Sequence, residues 1–171
     1  MKGFIQVYTG NGKGKTTAAI GLSIRAVGAG KKVFFAQFVK GKPYSEITVL
    51  QKLSPTITLK QYGLGCFIEK EPTKADIESA QKGLQEIKKF IQAVSYDVIV
   101  LDEANIALFF NLFSVKDLIK IVQSKPPETE IIITGRYAPE EIIAIADLVT
   151  EMKEVKHYYN SGIEARKGIE F

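Results

Sequence analysis

The chain has one cysteine, one histidine and no apolar run of membrane-spanning length among its 171 residues. Each shortage removes a class of explanation. A single thiol, Cys66, cannot close an internal disulfide, and no basic start followed by an apolar signal segment is present, so a reducing cytoplasm is the expected compartment. A helix crossing a bilayer needs about 20 apolar residues, and no stretch comes near that, so no membrane partner is expected. The net charge of +4 is spread along the chain with no basic run interleaved with aromatics, which gives no case for nucleic acid and suits a small anionic ligand equally. Repeats, low-complexity tracts and linker compositions are missing as well. One domain, burying about two-thirds of its unfolded surface, is therefore expected over the whole length.

Short β-branched and aromatic runs alternate with helical periodicities, the pattern of strand and crossover-helix units. That alternation predicts an α/β fold: an open, mostly parallel sheet with helices on both faces. Strands are expected over residues 4–8, 32–38, 56–61, 97–101, 130–134 and 147–151. The first helix should run from Lys15 to about Ala29, ended by Gly28 and Gly30. The longest should run from about Thr73 to Val94, with Thr73 and Asp76 in capping positions and Pro72 just ahead.

The strongest chemical signal is Thr9-Gly10-Asn11-Gly12-Lys13-Gly14-Lys15-Thr16-Thr17, at the first strand-to-helix junction. Glycines let a backbone curl until successive N–H groups point inward at a polyphosphate. Lys15 then supplies a mobile positive charge, and the Thr16 hydroxyl is suited to Mg²⁺. The usual G-x-x-x-x-G-K-[ST] pattern is displaced, because Thr9 stands where the first glycine belongs and Gly10 follows it. Gly14-Lys15-Thr16 keeps the part that carries the mechanism, and a nucleoside triphosphate is the expected ligand.

A second landmark is Val98-Ile99-Val100-Leu101-Asp102-Glu103, an apolar strand ending in two carboxylates. Ligands of open α/β sheets bind beyond the carboxyl ends of the strands, so this pair should meet the phosphate loop there. Asp102 is the natural partner of a metal on Thr16, directly or through water, while Glu103 could touch metal, water or ribose. The alternative is an acidic helix start with no metal. Beyond Ile131-Ile132-Ile133-Thr134-Gly135, Arg136 either forks onto phosphate oxygens or pairs with Glu140 or Glu141 at a helix opening after Pro139. Gln37, Lys40 and Gly41 also emerge at a strand end. Candidates for a general base are few: His157 lies beyond the last expected strand, and Glu103 is the one acidic residue well placed. A nucleophile carrying no proton would need neither.

From the phosphate loop through Thr17-Ala18-Ala19 and Arg25-Ala26-Val27-Gly28, the chain resembles the phosphate-loop ATP:corrinoid adenosyltransferases. The resemblance continues through Gln37-Phe38-Val39-Lys40-Gly41, Val100-Leu101-Asp102-Glu103, Ile132-Ile133-Thr134-Gly135-Arg136, Ala146-Asp147-Leu148-Val149-Thr150-Glu151, Lys156-His157, Gly162-Ile163 and Gly168-Ile169. It implies a RecA-type sheet like that of P-loop NTPases and a homodimer. It also implies transfer of the 5′-deoxyadenosyl group of ATP to the reduced cobalt of a corrinoid, with release of inorganic triphosphate. ATP and corrinoid would be substrates, with Mg²⁺ or Mn²⁺ as cofactor and a flavin-dependent or other reductant supplying cobalt(I). Lys15, Thr16, Asp102 and Glu103 would be catalytic, the last three as metal ligands. The loop, Gln37, Lys40 and Arg136 would hold ATP, reversed so that its γ-phosphate lies deep in the loop.

Two departures stand out. Some members carry an N-terminal extension over the site, whereas here the first strand starts almost at Met1, so either cover comes from elsewhere or the site is open. Members resembling this chain often read Gly-Phe-Thr-Trp where it has Gly65-Cys66-Phe67-Ile68, and in the family those aromatics help detach cobalt's lower ligand. Phe67 either substitutes or plugs a local core, and an incomplete corrinoid lacking the lower nucleotide loop is one expected substrate. No catalytic role is expected for Cys66. The stretch Ala107-Leu108-Phe109-Phe110-Asn111-Leu112-Phe113 lines a corrinoid face or a dimer seam, or packs the core, and Tyr158 and Tyr159 stack on adenine or pack at a strand edge. Competing readings are a RecA-type ATPase, with Glu103 orienting water and ADP as product, and a nucleotide-binding regulatory module without turnover.

Overall fold

A computed structural model of the chain describes residues 2–41, 44–65, 68 and 71–171. The elements run β1 (Ile5–Thr9), α1 (Lys15–Gly28), β2 (Val33–Gln37), α2 (Ser45–Lys52), β3 (Ile57–Gln61) and α3 (Lys74–Gln92). They continue as β4 (Val98–Asp102), α4 (Ala104–Phe109), α5 (Val115–Gln123), β5 (Glu130–Thr134), α6 (Glu140–Ile145) and β6 (Leu148–Glu151), and a 3₁₀ turn (Tyr158–Ser161) follows. The six strands form one sheet in the order β3-β2-β4-β5-β1-β6, with every pairing parallel.

Parallel strands covered by helices on both faces read as unbroken apolar runs, and all five residues of both β2 and β4 are buried. The two-residue period then divides them between two cores. Phe34, Ala36, Ile99, Leu101, Ile131 and Ile133 face the layer carrying Leu84 and Ile87 of α3 and Leu118 and Val122 of α5. Val33, Phe35, Val98, Val100 and Ile132 face Ala19 and Ala26 of α1 and Leu50 of α2. Thr73 and Asp76 form the expected capping box: the Thr73 hydroxyl accepts from the Asp76 amide at 3.2 Å, and the Asp76 carboxylate accepts from the Thr73 amide at 2.9 Å.

Most expected strands begin one residue too early, but the shift that matters is at the far ends. Parallel pairing carries β1 to Thr9, opposite Glu151, and β4 to Asp102, opposite Gln37. Thr9, Gln37, Asp102 and Thr134 therefore all stand at the carboxyl edge of the sheet, where the loops that build the site begin.

Candidate functional site

The loop between β1 and α1 is held from behind by the segment after β6. The Gly12 amide donates to the Met152 carbonyl at 2.6 Å, and a Cβ at Gly12 would lie 2.7 Å from that same oxygen. Gly14, with φ +122°, turns the chain into α1. Lys15 arches back over the loop and donates to the carbonyls of Gly10 at 2.7 Å and Gly12 at 2.8 Å. Burial holds its ammonium below the ordinary lysine value; the Glu103 carboxylate works against that shift and the Arg136 guanidinium with it.

Asp102 is the centre of the strand-end cluster. It is fully buried and has four side-chain donors. Its Oδ1 accepts from the hydroxyls of Thr134 at 2.7 Å and Thr16 at 2.9 Å. Its Oδ2 accepts from Lys40 Nζ at 3.0 Å and Gln37 Nε2 at 3.2 Å. Lys40 Nζ also donates to Thr16 Oγ1 at 3.0 Å and stands 3.8 Å from Glu103 Oε1. Burial pulls the Lys40 ammonium down, but the charges of Asp102 and Glu103 outweigh it and hold the group above the ordinary lysine value. Glu103 is raised above the usual carboxylate range, first by burial and then by the Asp102 charge beside it.

Two strained residues frame this cluster. Glu103, the N-cap of α4, has φ +59°, and Val39, just before Lys40, has φ +64°. A left-handed conformation costs a non-glycine residue about 1–3 kcal/mol, and it persists only where surroundings enforce it. Here the Glu103 amide donates to Thr134 Oγ1 at 3.0 Å, and the Gly41 amide beyond Val39 donates to the Gly65 carbonyl at 2.7 Å.

A cavity of about 800 Å³ opens over the loop and is lined by residues 12–17, Lys40, Glu103 and Arg136. Phe109 and Tyr137 line it too; their ring centres are 4.6 Å apart and they are 54% and 53% exposed. Residues 168–171 close another side. Lys13 Nζ donates to the Ile169 carbonyl and to Glu170 Oε1, both at 2.7 Å, and Ser45 Oγ donates to the Phe171 carbonyl at 3.0 Å. Part of the expected cover is therefore the end of the chain itself.

Of the residues singled out in the sequence, Thr16, Gln37, Lys40, Asp102 and Glu103 form one connected group, and Lys15 lies in the loop beside it, bonded to the Gly10 and Gly12 carbonyls. Gly14 and Thr17 line the cavity with Lys15, Thr16, Lys40 and Glu103, while Gln37 and Asp102 lie buried behind it. Thr9, Gly10 and Asn11 do not line it; Thr9 Oγ1 instead accepts from the Ala138 amide at 3.3 Å. Gly41 packs against the 63–65 backbone, where a Cβ would lie 2.6 Å from the Gly63 carbonyl oxygen. Among the described residues Arg136 pairs with neither Glu140 nor Glu141, so the surface-pair alternative is not found. The aromatic stretch divides: Leu108, Leu112 and Phe113 are core, while Phe109 faces the cavity. Tyr158 and Tyr159 lie in the 3₁₀ turn rather than at a strand edge, because the chain leaves the sheet at Glu151. The Tyr158 hydroxyl bonds the Glu170 carboxylate instead. Ile68 packs against the larger core and lines the cavity, and the expectations for Cys66 and Phe67 lie outside the described residues. The strand ending at Thr134 brings its hydroxyl to this edge as the sequence suggests, and the structure supplies the partners the sequence did not name, Asp102 and the Glu103 amide.

The family model described as ATP:corrinoid adenosyltransferase BtuR/CobO/CobP matches residues 1–171. The chain is 33% identical to the corrinoid adenosyltransferase of Escherichia coli K12, over 99% of this chain and 86% of that protein. It is 36% identical to the corrinoid adenosyltransferase of a Sinorhizobium species, over 99% and 81%. In structure it is similar to the flagellar accessory protein FlaH of Methanocaldococcus jannaschii, with a TM-score of 0.61, 14% identity, and 88% and 71% of the two chains covered. That likeness bears on the fold alone and agrees with the open parallel α/β sheet. By its full-length match and these relatives, the chain belongs to the ATP:corrinoid adenosyltransferase family and is a transferase.

Proposed function

We propose that the chain transfers the 5′-deoxyadenosyl group of ATP to the cobalt(I) of a reduced corrinoid and releases inorganic triphosphate, in the making or salvage of adenosylcobalamin. The observation that carries this reading is one cavity lined both by a cationic phosphate loop and by an exposed aromatic pair in contact, Phe109 and Tyr137. The loop suits a polyphosphate and the pair suits the flat apolar face of a corrin ring.

In this reading the reaction breaks the bond between the ribose C5′ and its oxygen while cobalt bonds to C5′. The protein's work is alignment and stabilisation of charge on the departing triphosphate. Lys15 and the amides of the loop bind that group, and Arg136, free of acidic partners among the described residues, forks onto it. No side chain has to remove a proton from the nucleophile, which is consistent with a site holding no histidine but His157, whose Nδ1 accepts from the Tyr159 amide at 3.1 Å. ATP would lie with its γ-phosphate deep in the loop and C5′ turned toward the aromatic pair.

The oxygens of Thr16 and Asp102 fit a divalent cation, since a cation, the Lys40 ammonium, already bridges them at 3.0 Å to each. Thr16 and Asp102 would hold Mg²⁺ or Mn²⁺, Glu103 would stand beside it, and phosphate oxygens and water would complete the shell. The metal, when bound, neutralises charge on the leaving triphosphate. We further propose a homodimer in the cytoplasm, served by a flavin-dependent or other reductant. The exposed Leu148 and Val149 of the edge strand β6 supply an apolar surface for association, and no helix of the described residues is long and apolar enough to cross a membrane.

The test is anaerobic incubation of the protein with ATP, Mg²⁺ and chemically reduced corrinoid. Triphosphate that appears only with corrinoid, together with a light-sensitive product, supports the transfer; ADP released without corrinoid would favour an ATPase, a reading that the relatives do not favour.

A further inference from the structure

Resting on the reading of Thr16 and Asp102 as ligands of the divalent cation, we propose that Lys40 is a built-in stand-in for that cation. In the nucleotide-free protein it occupies the metal's place and keeps metal out, and it gives up that place only when metal arrives with a triphosphate.

The geometry makes Lys40 and a metal mutually exclusive. Every usable direction on the Asp102 carboxylate is taken, by Thr16 and Thr134 on one oxygen and by Gln37 and Lys40 on the other. The Thr16 proton is spent on Asp102, which leaves its hydroxyl lone pairs for a cation, and Lys40 Nζ sits against them at 3.0 Å. The free valence of both oxygens thus converges on one point, and the ammonium is there. Asp102 has no exposed surface and does not line the cavity, whereas Thr16, Lys40 and Glu103 do. A metal ion entering from the cavity reaches the Asp102 carboxylate only by moving Lys40.

Lys40 is also the one donor of the four built to leave. Gln37 and Thr134 end strands and Thr16 lies in the first turn of α1. Lys40 stands on a loop, on a four-carbon stem, after Val39 in its left-handed conformation. The strained turn aims the amine back at the strand ends, and the Lys40 amide closes it by donating to the Phe38 carbonyl at 2.7 Å. Expelled into an empty cavity, the ammonium would exchange two carboxylates for water. Expelled into a cavity holding a triphosphate, it gains an anion beside Lys15 and Arg136. Metal and nucleotide therefore enter as a coupled pair, each improving the site for the other.

The test is binding of Mn²⁺ alone to the nucleotide-free protein, followed by electron paramagnetic resonance. Lys40→Met should bind Mn²⁺ at least about tenfold more tightly than the wild type, and adding Asp102→Asn should abolish the gain. Lys40→Gln, which keeps a donor toward Asp102 without the charge, carries the same comparison if the methionine variant fails to fold by circular dichroism. Equal or weaker Mn²⁺ binding in the folded variants would overturn the proposal. If adenosyl transfer failed while the Mn²⁺ gain appeared, the function reading would fall and the role of Lys40 would stand.

Discussion

Thr134 offers a clean perturbation, because valine matches its shape and deletes only the hydroxyl. That hydroxyl donates to Asp102 Oδ1 at 2.7 Å and accepts from the Glu103 amide at 3.0 Å, so one atom both satisfies a buried carboxylate and pins a strained residue. Thr134→Val leaves no cavity, so the cost is polar. Losing a hydrogen bond to a charged group costs about 1.5–3 kcal/mol, and an unpaired buried N–H adds to it, for a total of about 2–4 kcal/mol. In a domain of this size each kcal/mol moves the melting temperature by about 2–4 °C, so a fall of roughly 5–15 °C is expected by circular dichroism. Thr134→Ser keeps the hydroxyl and gives up one methyl group, which costs about 1 kcal/mol. The serine variant should therefore be the more stable of the two. A valine variant as stable as the wild type would refute the assignment of that hydroxyl as a structural pivot.

Glu103→Gly should be at least as stable as the wild type in urea denaturation, since it relieves a left-handed residue and removes a carboxylate that burial and Asp102 disfavour, yet it should lose adenosyl transfer. A variant clearly less stable than the wild type would show that the strain was misjudged. Gly12→Ala should abolish ATP binding measured by calorimetry, because the new Cβ meets backbone atoms of Met152 and Lys153 that cannot swing aside. Retained affinity would contradict that packing. For pH, the Lys15 ammonium is the form that binds triphosphate, and its value in the protein lies below the ordinary lysine value. Affinity for tripolyphosphate is then complete below that lowered value and falls as pH rises through it, before about pH 10 where an exposed lysine would titrate. A flat binding profile to that pH would count against the burial of Lys15.

What the sequence made legible was whatever is carried by local order. Short apolar runs marked β2 and β4 as strands, and Thr73 with Asp76 marked the capped start of α3. Gly14-Lys15-Thr16 located the loop, and the end of an apolar strand located Asp102. What escaped depends on contacts far apart in the chain. The glycine at position 12 is required by a carbonyl 140 residues later, at Met152. Lys13 answers to Glu170 rather than to anything in its own loop. That the Thr134 hydroxyl serves Asp102 appears only once β5 is known to lie between β1 and β4. The strand-edge expectation for Tyr158 fails for the same reason, since its partner Glu170 lies on a tail that folds back over the loop.

Which bond of ATP breaks is the question on which the functional reading turns. ATP carrying ¹⁸O in the bridge between C5′ and the α-phosphorus, incubated anaerobically with protein, Mg²⁺ and reduced corrinoid, answers it by mass spectrometry of the products. Inorganic triphosphate retaining the label, beside an adenosylated corrinoid without it, is the expected result. Label retained in ADP or AMP would mean that a phosphorus–oxygen bond had been cut, and adenosyl transfer at this site would be contradicted.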